Sequence, residues 1–355
     1  MLVYWPIYII PLILALRDLD PERRRPGLGY GLVLLLLFFI AAFRETCGDW
    51  PTYLFLFDKI SGLPLYDAIS ITESGYATLN WISAQLDFGI YGVNTVGALI
   101  FLFGLVKFSS KEPYQRLFLA LSISYLFVVV AMGYNRQGIA IGIWMWGFHY
   151  LLEKKPFRYT LICLLAATFH QTAIVLLPLV YFSIVDFRKP WILNLAKILA
   201  VVVSVVFIAR DITEGSRWLW EQYVVETRYS SLGALPRASL NAAAGLVFLV
   251  HWKRWGENWG DKFIWLPFAI GAILSIPLAI FASTAADRMG LYLLPFQILT
   301  FCRWVFLGLD DGKKKRIFWL LILGYTMNYG IWLHFGQFTE ELWLPYRSLI
   351  FGEVD

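Results

Sequence analysis

Apolar residues run through this chain in long blocks separated by short charged breaks. Leu28–Phe43, Arg116–Gly133 and Phe263–Ala282 approach or exceed the length needed to cross roughly 30 Å of hydrocarbon. They lack the alternation of a β-barrel strand, the other backbone arrangement that satisfies its own hydrogen bonds inside a bilayer. Blocks and breaks together predict about twelve crossings, at 2–16, 28–43, 90–106, 117–134, 136–152, 158–169, 172–186, 191–209, 237–252, 263–282, 288–308 and 317–335. The expected fold class is an all-α, polytopic integral membrane protein. Residues 1–355 are expected to form a single transmembrane domain, since no internal repeat or low-complexity segment divides them.

Three places break the simple pattern. Residues 44–89 form a long stretch rich in aromatic and polar residues, expected on the outer side. "PTYLFLFDKI" reads there as an interfacial helix and "SGYATLNWISAQL" as a partly inserted one. The spans 158–169 and 172–186 are short, and "FHQTA" between them predicts a hairpin with His170 at its vertex. The loop 210–236 mixes acids with arginines and is a candidate lid.

Composition supports the membrane reading, with 59% apolar and only 15% charged residues, where a soluble domain carries about 25% charge. The first apolar run has no basic residue before it and "RDLDPERRR" after it, the reverse of a secretory signal. That order predicts a retained helix with its N-terminus outside. An even number of crossings then puts the C-terminus outside too. With this topology 21 of the 30 cations fall on the inner side, as the positive-inside rule requires. The net charge of +5 therefore has a topological explanation, and no nucleic-acid partner is implied. Of the nine outer cations eight are arginine, whereas the inner set mixes eleven lysines with ten arginines. Arginine's planar fork suits bidentate contact with phosphate or carboxylate, so the outer face reads as anion-binding.

Among the outer arginines Arg136 stands out, in "MGYNRQGIAIGIWMW". At the start of a helix its charge adds to the dipole, and the free backbone N–H groups point the same way, which suits a phosphate. Snorkelling to lipid headgroups or pairing with a nearby acid is the structural alternative. Arg288 is expected at a second helix start, beside Asp287. Arg44 is expected to close a helix, and Arg347 lies near the C-terminus. Glu73, Asp49 and His170 are the acid–base candidates, and His170 also fits a purely structural role. Trp50, Trp343 and Tyr346 are candidates for stacking on sugars or for an interfacial belt. Cys47, Cys163 and Cys302 show no disulfide or metal-ligand spacing. Neither a metal signature nor a nucleotide fingerprint is present, so no metal and no cofactor is expected. A lipid-linked donor fits better than a cytosolic nucleotide sugar.

"FRETCGDWPTYLFLF", "ESGYATLNWI" and the run from "GYNRQGIAIG" to "FHQTAIVLLPLVY" together resemble the EpsG family of Wzy-like polysaccharide polymerases. The shared pattern falls on Arg44, Gly48, Asp49, Tyr53, Glu73, Gly75, Tyr76, Arg136, Gln137, Phe169 and His170. "DRMGLYLLPF" and "WLPYRSLIF" look like the family's later arginine regions. The resemblance implies a GT-C-like, Wzy-like membrane fold in the bacterial cytoplasmic membrane. It also implies assembly of an exopolysaccharide, capsule or O-antigen at the outer face, from undecaprenyl-diphosphate-linked glycans as donor and acceptor.

With it, Arg136, Arg288, Arg44 and Arg347 are expected around the diphosphate, and Glu73, His170 or Asp49 at the nucleophile's proton. Trp50, Tyr53, Tyr76, Gln137, Trp343 and Tyr346 are expected near the sugars. Membrane lipids and a chain-length regulator are the further candidate partners. An O-antigen ligase, and a flippase or transporter of lipid-linked oligosaccharide, are the alternatives.

Overall fold

A computed structural model describes residues 1–20, 26–184, 231, 233–307, 310–336 and 338–354. The predicted span 191–209 and most of the candidate lid 210–236 lie outside the described residues. The described chain is helical, and its one sheet is an antiparallel pair, Tyr346–Ser348 with Gly352–Val354. Four helices among the described residues are long and apolar enough to cross a bilayer: Gly89–Ser109, Gln115–Gly133, Lys262–Phe281 and Ser283–Phe306. Shorter apolar helices include Leu28–Ala42, Pro156–Phe169 and Ala234–Val250. This is a helical membrane protein.

The chain divides into two compact units, the first comprising Met1–Trp146, Leu165–His170 and Leu309–Asp355. It opens with α1 (Tyr4–Ala15) and α2 (Leu28–Ala42). The irregular stretch that follows folds into α3 (Trp50–Ser61), the single turn α4 (Leu65–Ala68) and α5 (Ser74–Gln85), around a small core of Ile60, Ala68 and Ala77. Next come α6 (Gly89–Ser109), α7 (Gln115–Ser122) and α8 (Asn135–Leu152). Between α7 and α8 the helix continues over Ile123–Gly133 with π-type winding. Such winding is rare in proteins and has no distinct hydrophobic pattern, so the apolar run predicts only one continuous helix there.

Helices α6 and α8 approach almost backbone to backbone. A Cβ on Gly104 would lie 2.0 Å from the Gly142 carbonyl oxygen, and one on Gly97 would lie 2.8 Å from Asn135 Oδ1. Small residues permit this contact, which in lipid is held by dispersion and interhelical hydrogen bonds. Asn135 supplies one, from Nδ2 to Asn94 Oδ1 at 3.1 Å. Helix α1 packs on the long helix Asp311–Phe335, where Tyr8 stacks on Tyr329 at 4.7 Å and bonds Thr326 at 2.9 Å. Beyond α1, the buried Asp18 accepts from Arg116 at 2.8 Å and from the Leu117 amide at 2.9 Å. A carboxylate at the first turn of α7 complements the helix dipole as well as the arginine.

The second unit comprises Gly147–Leu164 and Gln171–Gly308. The predicted hairpin is present in it: Tyr159, near the start of α9 (Pro156–Phe169), donates to Leu176 O at 2.8 Å. The return segment Gln171–Val180 is wound as a 3-10 helix. Elsewhere the helix Ala234–Val250 packs on Lys262–Phe281, where a Cβ on Gly245 would meet Ala269 O at 2.8 Å. Asp261 accepts from Trp255, Trp265 and Arg303, all within 3.0 Å, and the Arg303 guanidinium lies over the Trp255 and Trp259 rings. This buried charge is matched by several donors, as its burial demands.

Candidate functional site

Three ionisable residues far apart in sequence meet in the first unit. Arg136 is the second residue of α8, Glu73 sits at the N-cap of α5, and His170 directly follows α9. Arg136 Nη1 donates to Glu73 Oε2 at 2.7 Å, and His170 Nδ1 lies 3.2 Å from Glu73 Oε1. One carboxylate thus serves a guanidinium with one oxygen and an imidazole with the other. Glu73 and His170 are nearly buried, while the Arg136 side chain keeps 26% of its surface exposed.

Local sequence explains how they meet. The backbone of α5 approaches the end of α9 at Gly75, where a Cβ would lie 2.4 Å from Thr168 Oγ1 and 3.0 Å from Thr168 O. Glycine therefore permits the approach that puts Glu73 against His170. Tyr134 hydrogen-bonds back to Val130, and α8 begins at the next residue, which presents Arg136 at the helix start. The first-turn position was expected from the sequence, and the arginine there is matched by an internal acid.

The electrostatics of Glu73 follow from this setting. Burial pushes its carboxyl pKa up, but the His170 hydrogen bond and the Arg136 charge outweigh burial and hold it well below the ordinary carboxylate value. An ionised carboxylate can only accept, so the hydrogen of that contact lies on His170 Nδ1. In the neutral ring the basic lone pair is then on Nε2. The pair repeats the base-and-orienter logic of nucleophilic enzymes.

Tyr53 and Tyr76 are both buried, with ring centroids 5.9 Å apart and within the electrostatic reach of Arg136. Gln137 is buried beside Arg136 on α8. Asp49 occupies the N-cap position of α3, where its carbonyl accepts from the Tyr53 amide at 3.0 Å, and half-buried Trp50 opens that helix.

Other predicted residues have different settings. Arg44 is 1% exposed, donating from Nε to Met132 O at 3.0 Å and from Nη1 to Ala41 O. It therefore closes α2 and ties it to the end of the π-type segment. Trp343 is buried against Gly133, where a Cβ would come within 2.8 Å of its ring, and its carbonyl accepts from Tyr4. Tyr346 is buried too and donates to Ile40 O at 2.8 Å. Arg347 is exposed on the short sheet opposite Glu353.

Arg288 belongs to the second unit and departs from expectation. It lies in the second turn of the long helix Ser283–Phe306, at the end of its first α-helical stretch Ser283–Gly290, not at the helix start. Its neighbour Asp287 pairs with Arg237 at 2.5 Å. The apolar block that predicted a start at 288 misses the polar first turns, which extend the helix upstream.

Thr72 was not anticipated. Its hydroxyl lies 2.7 Å from Glu73 Oε2 and 3.1 Å from Arg136 Nη1. The one available signal was a hydroxyl residue directly before the acid in "ITES".

The EpsG family model matches residues 28–348, which include every member of this cluster. The chain belongs to the EpsG family. The EpsG family is one of Wzy-like polysaccharide polymerases, so polysaccharide assembly by a membrane glycosyltransferase is the general activity it brings. No curated protein and no solved structure matches this EpsG chain.

Proposed function

We propose that this EpsG protein is a polymerase joining undecaprenyl-diphosphate-linked repeat units at the outer face of the bacterial cytoplasmic membrane. The observation that carries the reading is the Arg136–Glu73–His170 cluster, because it combines an anion-binding group with an oriented base.

In this mechanism a hydroxyl of the acceptor's terminal sugar attacks the anomeric carbon of the donor glycan. The new glycosidic bond forms as the bond from that carbon to the diphosphate oxygen breaks. His170 Nε2, buried before substrate binds, takes the hydroxyl proton once the acceptor sugar is seated against it, and undecaprenyl diphosphate leaves with the electron pair. Glu73 holds the imidazole through Nδ1–H and stabilises its charged form. General base assistance of this kind contributes roughly 10²–10⁴-fold. Arg136 faces the negative charge growing on the leaving diphosphate, where preorganised donors are most effective. Arg347, in the same unit, is a further candidate for that charge. Arg44 supports the site through the ends of α2 and the π-type segment, and Asp49 is a secondary acid. Tyr53, Tyr76 and Gln137 are buried close to Arg136 and shape the site, half-buried Trp50 is the candidate for stacking on a sugar, and Trp343 and Tyr346, buried against backbone, act as structural supports.

Purified protein in liposomes, supplied with the lipid-linked repeat unit, tests this directly. The expected products are chains heavier by whole repeats, together with released undecaprenyl diphosphate, and His170→Ala loses both. Substrate that crosses the bilayer covalently unchanged would make the protein a carrier. Transfer onto a lipid A core alone would make it a ligase.

A further inference from the structure

Thr72 closes a three-atom ring with the two residues beside it. Its Oγ1 lies 3.1 Å from Arg136 Nη1 and 2.7 Å from Glu73 Oε2, and Nη1 and Oε2 are themselves 2.7 Å apart. Arginine has no acceptor, so the direction of both hydroxyl bonds is fixed: Thr72 accepts from the guanidinium and donates its one hydrogen to the carboxylate. Oε2 therefore receives two hydrogen bonds, which leaves Oε1 to His170 at 3.2 Å. The β-branched threonine is stiff at χ1, so its hydroxyl is a fixed reference for a more flexible glutamate.

Resting on the polymerase reading, we infer that Thr72 is a positioning residue that assigns the two oxygens of Glu73 to different partners and so keeps His170 in the Nδ1–H tautomer. Without the hydroxyl, Glu73 Oε2 keeps only the Arg136 donor, and the carboxylate rotates more freely about its last bond. The imidazole then loses its fixed partner, and the base is correctly arranged for only part of the time.

Two measurements test this on the full-length protein. The first is the ¹⁵N spectrum of the histidine side chains, with His170 assigned by its loss in His170→Ala. The wild type is expected to show a single Nδ1–H tautomer at His170, Thr72→Ser the same, and Thr72→Val a mixture. The second is turnover with the lipid-linked repeat unit. Thr72→Val is expected to lower kcat about tenfold, roughly the effect of one charge-assisted hydrogen bond. KM and the thermal midpoint stay close to wild type, and Thr72→Ser restores the rate.

On a Glu73→Gln background Thr72→Val adds no further loss, because it acts through Glu73. An unchanged His170 tautomer in Thr72→Val, or a full additional loss on the Glu73→Gln background, overturns the assignment. If the wild type makes no polymer but the tautomer shifts as described, the positioning role stands and the polymerase reading falls.

Discussion

Glu73 links an arginine to a histidine, and its ionisation is where the chemistry of the site can be read. Its carboxyl is held below the ordinary value of 4.5 by His170 and Arg136. A depressed acid contributes stability that is complete above its unfolded pKa and disappears as pH falls through the folded one. Thermal unfolding in detergent should therefore show a Glu73-dependent loss of stability below about pH 4.5, absent in Glu73→Gln. The same variant should lose most activity at neutral pH, since His170 keeps a partner but not the charge that stabilises its protonated form. Arg136 and His170 were legible in the sequence because each interrupts or borders an apolar run, and Glu73 because it directly precedes the candidate inserted segment "SGYATLNWISAQL". Thr72 was not, because a hydroxyl beside an acid is common and only three-dimensional proximity to Arg136 gives it meaning.

The helices that carry these residues meet through glycines. At Gly75 the first turn of α5 touches the end of α9 so closely that a methyl group must displace Thr168. Gly75→Ala should leave expression intact and reduce turnover by at least tenfold, an order of magnitude typical of a misplaced catalytic group. Thr168→Ala in the same protein should recover part of that loss, because it removes the 2.4 Å clash but not the 3.0 Å contact with the carbonyl. No recovery would mean that the backbone contact dominates.

The buried Asp18–Arg116 pair, far from Glu73 in sequence, gives a contrasting case. Asp18→Ala removes the buried carboxylate that Arg116 and the Leu117 amide both donate to, and should cost about 3–5 kcal/mol of stability. Chemical unfolding in mixed micelles reads that loss. Apolar length predicted most helices to within a few residues, as α6 and α8 show. It could not foresee the π-type winding before Arg136, whose residues are as apolar as those of an α-helix. The short helices between 50 and 85 were only partly legible, because their small core of Ile60, Ala68 and Ala77 leaves no long periodic stripe.

At the scale of the whole molecule, the clustering of cations between apolar runs leads us to propose which side of the membrane each break faces. A cysteine at Lys313 should react with an impermeant thiol reagent only from the inside, and one at Glu353 only from the outside. Both positions are exposed, whereas the native Cys47, Cys163 and Cys302 are buried and contribute little background. Labelling of the Lys313 position only from the outside and of the Glu353 position only from the inside would reverse the topology and place the Arg136 cluster at the wrong face.

Membership of the EpsG family accounts for the general activity, and we propose that the cluster performs it in this chain. The most direct test of that link compares turnover of the lipid-linked repeat unit by the wild type, Arg136→Ala and Arg136→Lys in liposomes. Polymer formed by the wild type and reduced at least about 100-fold in both folded variants is the predicted result, because lysine keeps the charge but not the planar fork. Wild-type rates in Arg136→Lys would contradict a geometric role for the guanidinium, and wild-type rates in Arg136→Ala would remove the leaving-group role altogether.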